Sequence, residues 1–252
     1  MTILEIALLA LAGFAGGVAN AIAGGGSFFS FPVMVAFGMS TLDANATTAV
    51  GFVPGSFATA AAYWRETRTR IREVIPFALV GIAGGVAGAL LLIGIGDEGF
   101  RPTVPWLLAA ATLIFAFSGQ IKRYTARFTR DGARHAKAIA YVLMGIAAIY
   151  GGFFGAGLGI MVLATLAVIE KGDFHRANAT KNILCMLAQA TAVVLFVWSG
   201  LVHWPQALVT IAGAVFGGYF GIVVARKVPE IWVRIVVVLV GAVLSVIFFV
   251  RG

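Results

Sequence analysis

The 252-residue chain is 61% hydrophobic and 11% charged, with a mean hydropathy of +1.00, whereas soluble domains carry about 25% charged residues. That composition excludes an ordinary soluble domain, and 20 Phe with a single cysteine, Cys185, exclude a disordered segment and a disulfide scaffold. The formal charge of +8 does not point to nucleic acid, because the bases fall in short loops between apolar stretches, as a cytoplasmic membrane surface requires.

In chain order, the first apolar run carries Glu5 and no Lys or Arg before it, so a cleaved signal peptide is not expected and the segment stays. A membrane-crossing helix needs about 20 apolar residues for about 30 Å of hydrocarbon. The stretch 3–38 holds 36 residues, too long for one crossing, and Gly24, Gly25 and Gly26 interrupt it. It reads as a hairpin of two short or half-length helices, turned at the glycines. Spans at 42–64, 74–94 and 103–121 follow, then a basic loop over 122–137. The stretch 138–169, 32 residues with Gly151, Gly152, Gly155, Gly157 and Gly159 near its middle, reads as a second hairpin. Spans at 176–198, 205–225 and 231–250 complete the chain.

Lys and Arg favour cytoplasmic loops. If both hairpins return to their starting side, one face collects Arg65, Arg68, Arg70 and Arg72, the bases of 122–137, Lys171, Arg176, Lys181, Arg226, Lys227 and Arg234. Only Arg101 and Arg251 then lie on the other face, along with both chain ends.

A shift of 133 residues superposes Ala44-Asn45-Ala46-Thr47 on Ala177-Asn178-Ala179-Thr180. It also superposes Gly24 on Gly157, Gly26 on Gly159, Gly84-Gly85 on Gly217-Gly218 and Gly88 on Gly221. Each unit makes an odd number of full crossings, so a second copy enters from the opposite face, the inverted-repeat plan of many secondary transporters. The expected fold is an all-α polytopic membrane protein with two inverted repeats, each a broken or re-entrant helical hairpin plus three transmembrane helices. The first repeat covers 1–121, a basic cytoplasmic loop 122–137 and the second repeat 138–252, in one integrated transmembrane domain. The glycines at 84, 85, 88, 217, 218 and 221 have the small-residue spacing that lets helices approach closely.

Irregular backbone at membrane depth must be buried in protein or line a cavity. Short helices beginning just after Gly26 and Gly159 would aim unpaired N–H groups and positive dipole ends at an anion. The candidate substrate-binding set is therefore Asn20, Gly24, Gly25, Gly26, Ser27, Asn45, Thr48, Gly157, Gly159, Asn178 and Lys181. Ser27 either caps its helix or offers its hydroxyl to the ligand. Asn20 either bridges unwound backbone or touches substrate, and Asn45 and Asn178 either clamp the hairpin ends or contact substrate. Thr47 and Thr180 bond back to the preceding turn. Thr48 is matched by Lys181 at the repeat offset, so the halves differ there by one charge. Lys181 lies about 8 Å into its helix, where its ammonium either snorkels to the interface or serves an anionic ligand. Gln189 is a weaker candidate. All ten acids sit at or beyond segment ends, which argues against a mid-membrane carboxylate relay. Coupling would use the substrate's own proton, His175, or sodium held by carbonyls and hydroxyls. His175 and His203 otherwise read as solvated loop residues. No metal cluster, nucleophile elbow, Walker A loop or dinucleotide fingerprint is present in the sequence, so no cofactor is expected.

The stretches GFAGGVANAIAGGGSFFSFP (13–32) and GIAAIYGGFFGAGLGI (145–160), with the paired ANAT elements, resemble the TauE/SafE sulfite exporter family of membrane transporters over essentially the whole chain. The resemblance implies a bacterial inner-membrane exporter of sulfite, sulfoacetate or other organosulfonates, not an enzyme. Gly24 to Gly26, Asn45 and Asn178 occupy the family's motif positions, while Leu158 and Ile160 stand where Gly25 and Ser27 do in the first copy. Expected partners are a small anionic substrate and the lipid bilayer, with a coupling ion (H+ or Na+) and a homodimer left open, and no nucleic acid. An anion channel and a non-transporting membrane scaffold or assembly factor are the rival readings.

Overall fold

The computed structural model describes residues 1–22, 25–120, 133–167, 174–225 and 230–251, which are helical apart from short turns, with no strand among them. The helices are α1 (Ile3–Ile22), α2 (Ser27–Ala36), α3 (Thr41–Ala62), α4 (Trp64–Arg68), α5 (Ile71–Phe100), α6 (Val104–Ala116), α7 (Ala133–Phe153), α8 (Leu158–Ala167), α9 (Phe174–Trp198), α10 (Trp204–Ala225) and α11 (Glu230–Arg251). Ile3–Ala21, Ile71–Ala116 and Arg176–Trp198 are long and apolar enough to cross a bilayer by length and composition. Leu79, Val142, Leu208, Tyr219, Leu239 and Val246 are exposed to the outside of the bundle. In water each would cost free energy; against lipid they are the solvated surface of a polytopic membrane protein. Trp64, Trp198, Trp204 and Trp232 stand exposed at helix ends, where indoles sit at membrane–water boundaries.

The two interrupted stretches are hairpins with unequal arms, which corrects the expectation of two short ones. Their long arms are α1, of 20 residues, and α7, of 21; their short arms, α2 and α8, have 10 each. The first hairpin returns to its starting end: a cavity lined by Glu5 and Leu9 of α1 also touches Met34 of α2, Met39 and His203. At the inner end of α2, a Cβ on Gly26 would lie 2.9 Å from the Gly16 carbonyl oxygen. Ser27 thus starts its helix about 16 Å from the open end of the hairpin, at 1.5 Å per residue over eleven residues. In the second hairpin, the Gly155 N–H bonds the Tyr150 carbonyl at 3.2 Å, and Gly155 and Gly157 have φ of 81° and 84°. Glycine adopts this left-handed geometry without a Cβ clash, which ends α7 and reverses the chain within four residues.

α3 begins where Ser40 accepts the Asp43 N–H at 3.0 Å. Asp97, at the far end of α5, accepts Thr41 Oγ1–H at 2.7 Å and the Leu42 N–H at 2.9 Å. A carboxylate at free helix N–H groups suits the helix dipole and binds the end of α5 to the start of α3.

The helix pairing follows the 133-residue offset. α1 packs on α10 as α7 packs on α5, and α3 packs on α10 as α9 packs on α5, while α3 with α9 and α6 with α11 map onto themselves. Thr112 donates to the Leu108 carbonyl and Ser245 to the Gly241 carbonyl, each at 2.7 Å, and these bonds are one offset apart. α1 and α10 run parallel, because Gly13 meets Thr210, Gly17 meets Ala214, and Gly221 meets Val18 and Ala21. α5 and α7 run parallel too, through Gly81 with Met144, Gly84 with Ala148 and Gly88 with Phe153. Each long hairpin arm thereby lies against a helix of the other half.

Glycine makes both seams possible. A Cβ at Gly217 would collide with the Phe14 carbonyl, and one at Gly88 with the Ile149 carbonyl. Gly218 shares this packing through its backbone nitrogen, 2.9 Å from the Gly17 Cβ position, while its own Cβ position faces open space among the described residues. We predict that Gly217→Val lowers stability by about 1–3 kcal/mol through overpacking of the α1–α10 seam. Gly94→Ala, where the added methyl meets nothing, should be neutral or stabilise by about 0.4–1 kcal/mol. Denaturant-induced loss of helicity in detergent micelles measures both.

Candidate functional site

The two hairpin turns converge on α6. A Cβ at Gly25 would stand 2.9 Å from Phe115 Cζ, and one at Gly157 would stand 3.5 Å from Phe115 Cε2 on the other edge of the same ring. Phe28, in the first turn of α2, meets Phe115 edge-on at 5.7 Å, and Val237 of α11 lies 3.2 Å from the Gly25 Cβ position. Around this point Phe31 packs edge-on to Phe154 at 5.8 Å and stacks on Phe248 at 5.8 Å. The meeting place of the turns is an aromatic cluster, with the Tyr150 ring edge-on to Phe154. Neither Phe115 nor Phe248 was among the sequence candidates, although the repeat offset pairs them.

Polar side chains reach the turns from α3 and α9. Asn45 donates from Nδ2 to the Phe153 carbonyl at 3.0 Å, so it clamps the end of α7, the long arm of the other half's hairpin. Its counterpart Asn178 is partly buried, and no hydrogen bond of its side chain is present among the described residues. The equivalent acceptor would be the carbonyl of Asn20, a residue that is exposed near the end of α1. Thr48, buried, donates weakly to Met34 Sδ at 3.5 Å, which holds α2 to α3. Lys181, matched to Thr48 by the offset, is partly buried and runs its stem past the start of α8, with Cδ 3.8 Å from the Gly159 Cβ position.

Three expectations need correction in detail. α8 starts at Leu158, so Gly159 lies inside its first turn rather than ahead of it. Ser27 is the first helical residue of α2, and Gly26 occupies the cap position with helical φ and ψ and no side chain to offer. Ser27 therefore caps nothing. Thr47 does not bond back along its helix; its hydroxyl accepts the His203 N–H at 3.1 Å. His203 also meets Asp43 through Nε2 at 3.2 Å, so this loop residue links the starts of α3 and α10. Gln189 accepts from Ser56 Oγ at 3.2 Å, a contact between α3 and α9 at positions one repeat offset apart. Gly24, and the bases of the 122–132 segment with Lys171, Arg226 and Lys227, lie outside the described residues.

The structure thus brings Gly25 and Gly157 to one aromatic cluster, sets Gly26 against Phe52 and Gly16, sets Asn45 on the second hairpin, and sets Lys181 at the start of α8. It keeps Asn20 and Thr48 apart from that cluster in role: one is exposed, the other bonded to a thioether. Among the described residues no group of three or more His, Cys, Asp or Glu could hold a metal ion. What the arrangement offers a ligand is positive potential: a half-helix N-terminus with a lysine stem alongside it, in surroundings of low dielectric.

Relatives match most of the length of this chain. A protein of Sinorhizobium sp. described as a probable membrane transporter is 26% identical over 86% of this chain and 81% of its own. A probable membrane transporter of Haemophilus influenzae is 23% identical over 94% of the chain and 91% of its own length. The probable membrane transporter YfcA of Escherichia coli is 24% identical over 91% and 84%. No solved structure matches the chain significantly. The profile of the family described as sulfite exporter TauE/SafE spans residues 9–248, from the first turns of α1 to the last of α11, and the chain belongs to that family of membrane transporters.

Proposed function

We propose that the protein is a secondary transporter, not an enzyme, that exports a small sulfur-containing anion, sulfite or an organosulfonate such as sulfoacetate, across the bacterial inner membrane. The family's description and the relatives' names support transport; the choice of anion rests on the family and on the site's charge. One observation carries the anionic reading: the Lys181 stem passes within 3.8 Å of the Gly159 Cβ position at the start of α8. A lysine alongside a helix N-terminus adds its positive charge to the positive end of the helix dipole, and the two together favour an anion at the turn. The site of this reading comprises Gly25, Gly26 and Ser27 from the first hairpin, Gly157 and Gly159 from the second, and Asn178 and Lys181 from α9. Asn45 holds the second hairpin in place.

Two inverted repeats, 1–121 and 138–252 around a basic cytoplasmic loop, supply the mechanism. Support comes from helix directions: α1 and α3 both run parallel to α10, α3 starts where α5 ends, and α7 runs parallel to α5. The two long arms therefore point opposite ways, as alternating access around a fixed central site requires. Coupling uses the substrate's own proton or a sodium ion, because the acids that are described lie at helix ends.

Two measurements test this. Purified protein in proteoliposomes should show saturable counterflow of sulfite or a sulfonate and uphill movement on an imposed ion gradient; a downhill-only flux would assign a channel, and no flux a scaffold. Lys181→Gln should raise the half-saturating anion concentration about tenfold or more, the equivalent of losing a charged hydrogen bond of about 1.5–3 kcal/mol. Asn178→Ala should act in the same direction, and unchanged saturation in both variants would remove them from the site. Gly25→Leu, which drives a side chain into Phe115, should abolish flux while membrane insertion persists.

A further inference from the structure

Equivalent helix pairs of the two halves are not equally closed. On one side of the molecule α5 and α9 stay in contact turn after turn: the Gly81 Cβ position lies 3.9 Å from the Leu184 carbonyl oxygen, and that of Gly85 lies 2.7 Å from Thr191 Oγ1 and against the Ala188 carbonyl. The corresponding pair is α10 and α3. These touch where Thr47 meets His203, and again where Thr210 Cβ comes within 3.0 Å of the Gly51 Cβ position. Further on, Gly55, one turn along α3, and Gly218, two turns along α10, are the counterparts of Ala188 and Gly85, which meet. Gly55 and Gly218 both have open space within 4 Å of their Cβ positions among the described residues.

The helices part after Gly51, and Pro54 stands at the parting. Proline removes a backbone bond and kinks a helix; its counterpart in α9 is Leu187, and α9 has no proline. Beyond it Phe57 and Thr59 are exposed. The hairpin clamps show the same asymmetry: Asn45 is bonded to the Phe153 carbonyl, whereas no hydrogen bond of Asn178 to the equivalent Asn20 carbonyl is present. Gly55 and Gly218 lie in the C-terminal halves of α3 and α10, toward the end of the molecule where α3 runs into Arg65 and Arg68 of α4.

Building on the transport reading, we infer that the protein is open toward its basic face through a cleft between the C-terminal halves of α3 and α10, hinged at Pro54. The Gly85–Ala188 contact and the Asn45–Phe153 bond shut the opposite face. An anion approaching from the basic side passes Gly55 and Gly218, near Ser56 and Gln189, on its way to the hairpin turns. Closure brings Gly55 onto Gly218, and glycine at both positions lets the backbones meet as Gly85 lets α5 meet α9.

Thiol accessibility tests the cleft without requiring transport. In the full chain carrying Cys185→Ala, single variants Gly55→Cys and Gly218→Cys place a thiol in open space, and Thr191→Cys places one in the closed seam. A membrane-impermeant methanethiosulfonate carrying a sulfonate group is applied to inside-out and right-side-out vesicles. With the alternative state a minor population, Gly55→Cys and Gly218→Cys should react about tenfold or more faster from the basic face than from the other, and Thr191→Cys slowly from both. Equal reaction from the two faces, faster reaction from the opposite face, or protection of Gly55→Cys and Gly218→Cys to the level of Thr191→Cys would overturn the inference. Labelling as expected in protein that moves no sulfur anion would refute the transport reading and leave the cleft standing.

Discussion

Apolar side chains gain little by leaving lipid for a neighbouring helix, so membrane helices hold together through the backbone area they bring into contact. In this protein that constraint acts at two seams, α1 against α10 and α7 against α5, where Gly13, Gly17, Gly213 and Gly217, or Gly84, Gly85, Gly88 and Gly152, let main chains touch. Because each seam joins a hairpin's long arm to the other half of the chain, the hairpins cannot shift without sliding a glycine seam. The turns meet at Phe115 because the seams set their depth.

The same placement governs the electrostatics. A lysine that lies about 10 Å along α9, by 1.5 Å per residue from Phe174, has a choice between reaching the interface and staying beside α8. Its stem lies against the first turn of α8, so its positive charge and the positive end of the α8 dipole fall on the same side of the turn. The repeat position is filled differently in the two halves: Thr48 holds α2 to α3 through Met34, whereas Lys181 runs its stem past the start of α8.

Where expectation and structure parted, local backbone chemistry explains it. Gly157 was expected to precede a helix beginning after Gly159, but a φ of 84° at Gly157 completes the turn and lets Leu158 enter the helix at once. Thr47 was expected to satisfy its own helix; the His203 N–H needs an acceptor in the turn before α10, and a threonine hydroxyl from 156 residues away supplies it. Gly218 matches Gly85 by position and differs from it in surroundings: Gly85 meets Ala188, and the Gly218 Cβ position faces open space among the described residues.

The sequence by itself determined the solvent, the helix count within each interrupted stretch, the positions of the glycine turns and the pairing of residues at an offset of 133. These follow from local apolar length, from glycine's freedom and from duplication, all of which are written along the chain. Tertiary structure alone decided that both turns face one phenylalanine ring, that Asn45 bonds the Phe153 carbonyl, and that Gly55 and Gly218 have open Cβ positions among the described residues where their counterparts Ala188 and Gly85 touch. Such features depend on the distance between helices far apart in sequence, which no local pattern encodes: two halves of similar sequence can occupy unlike positions in a single state of the molecule.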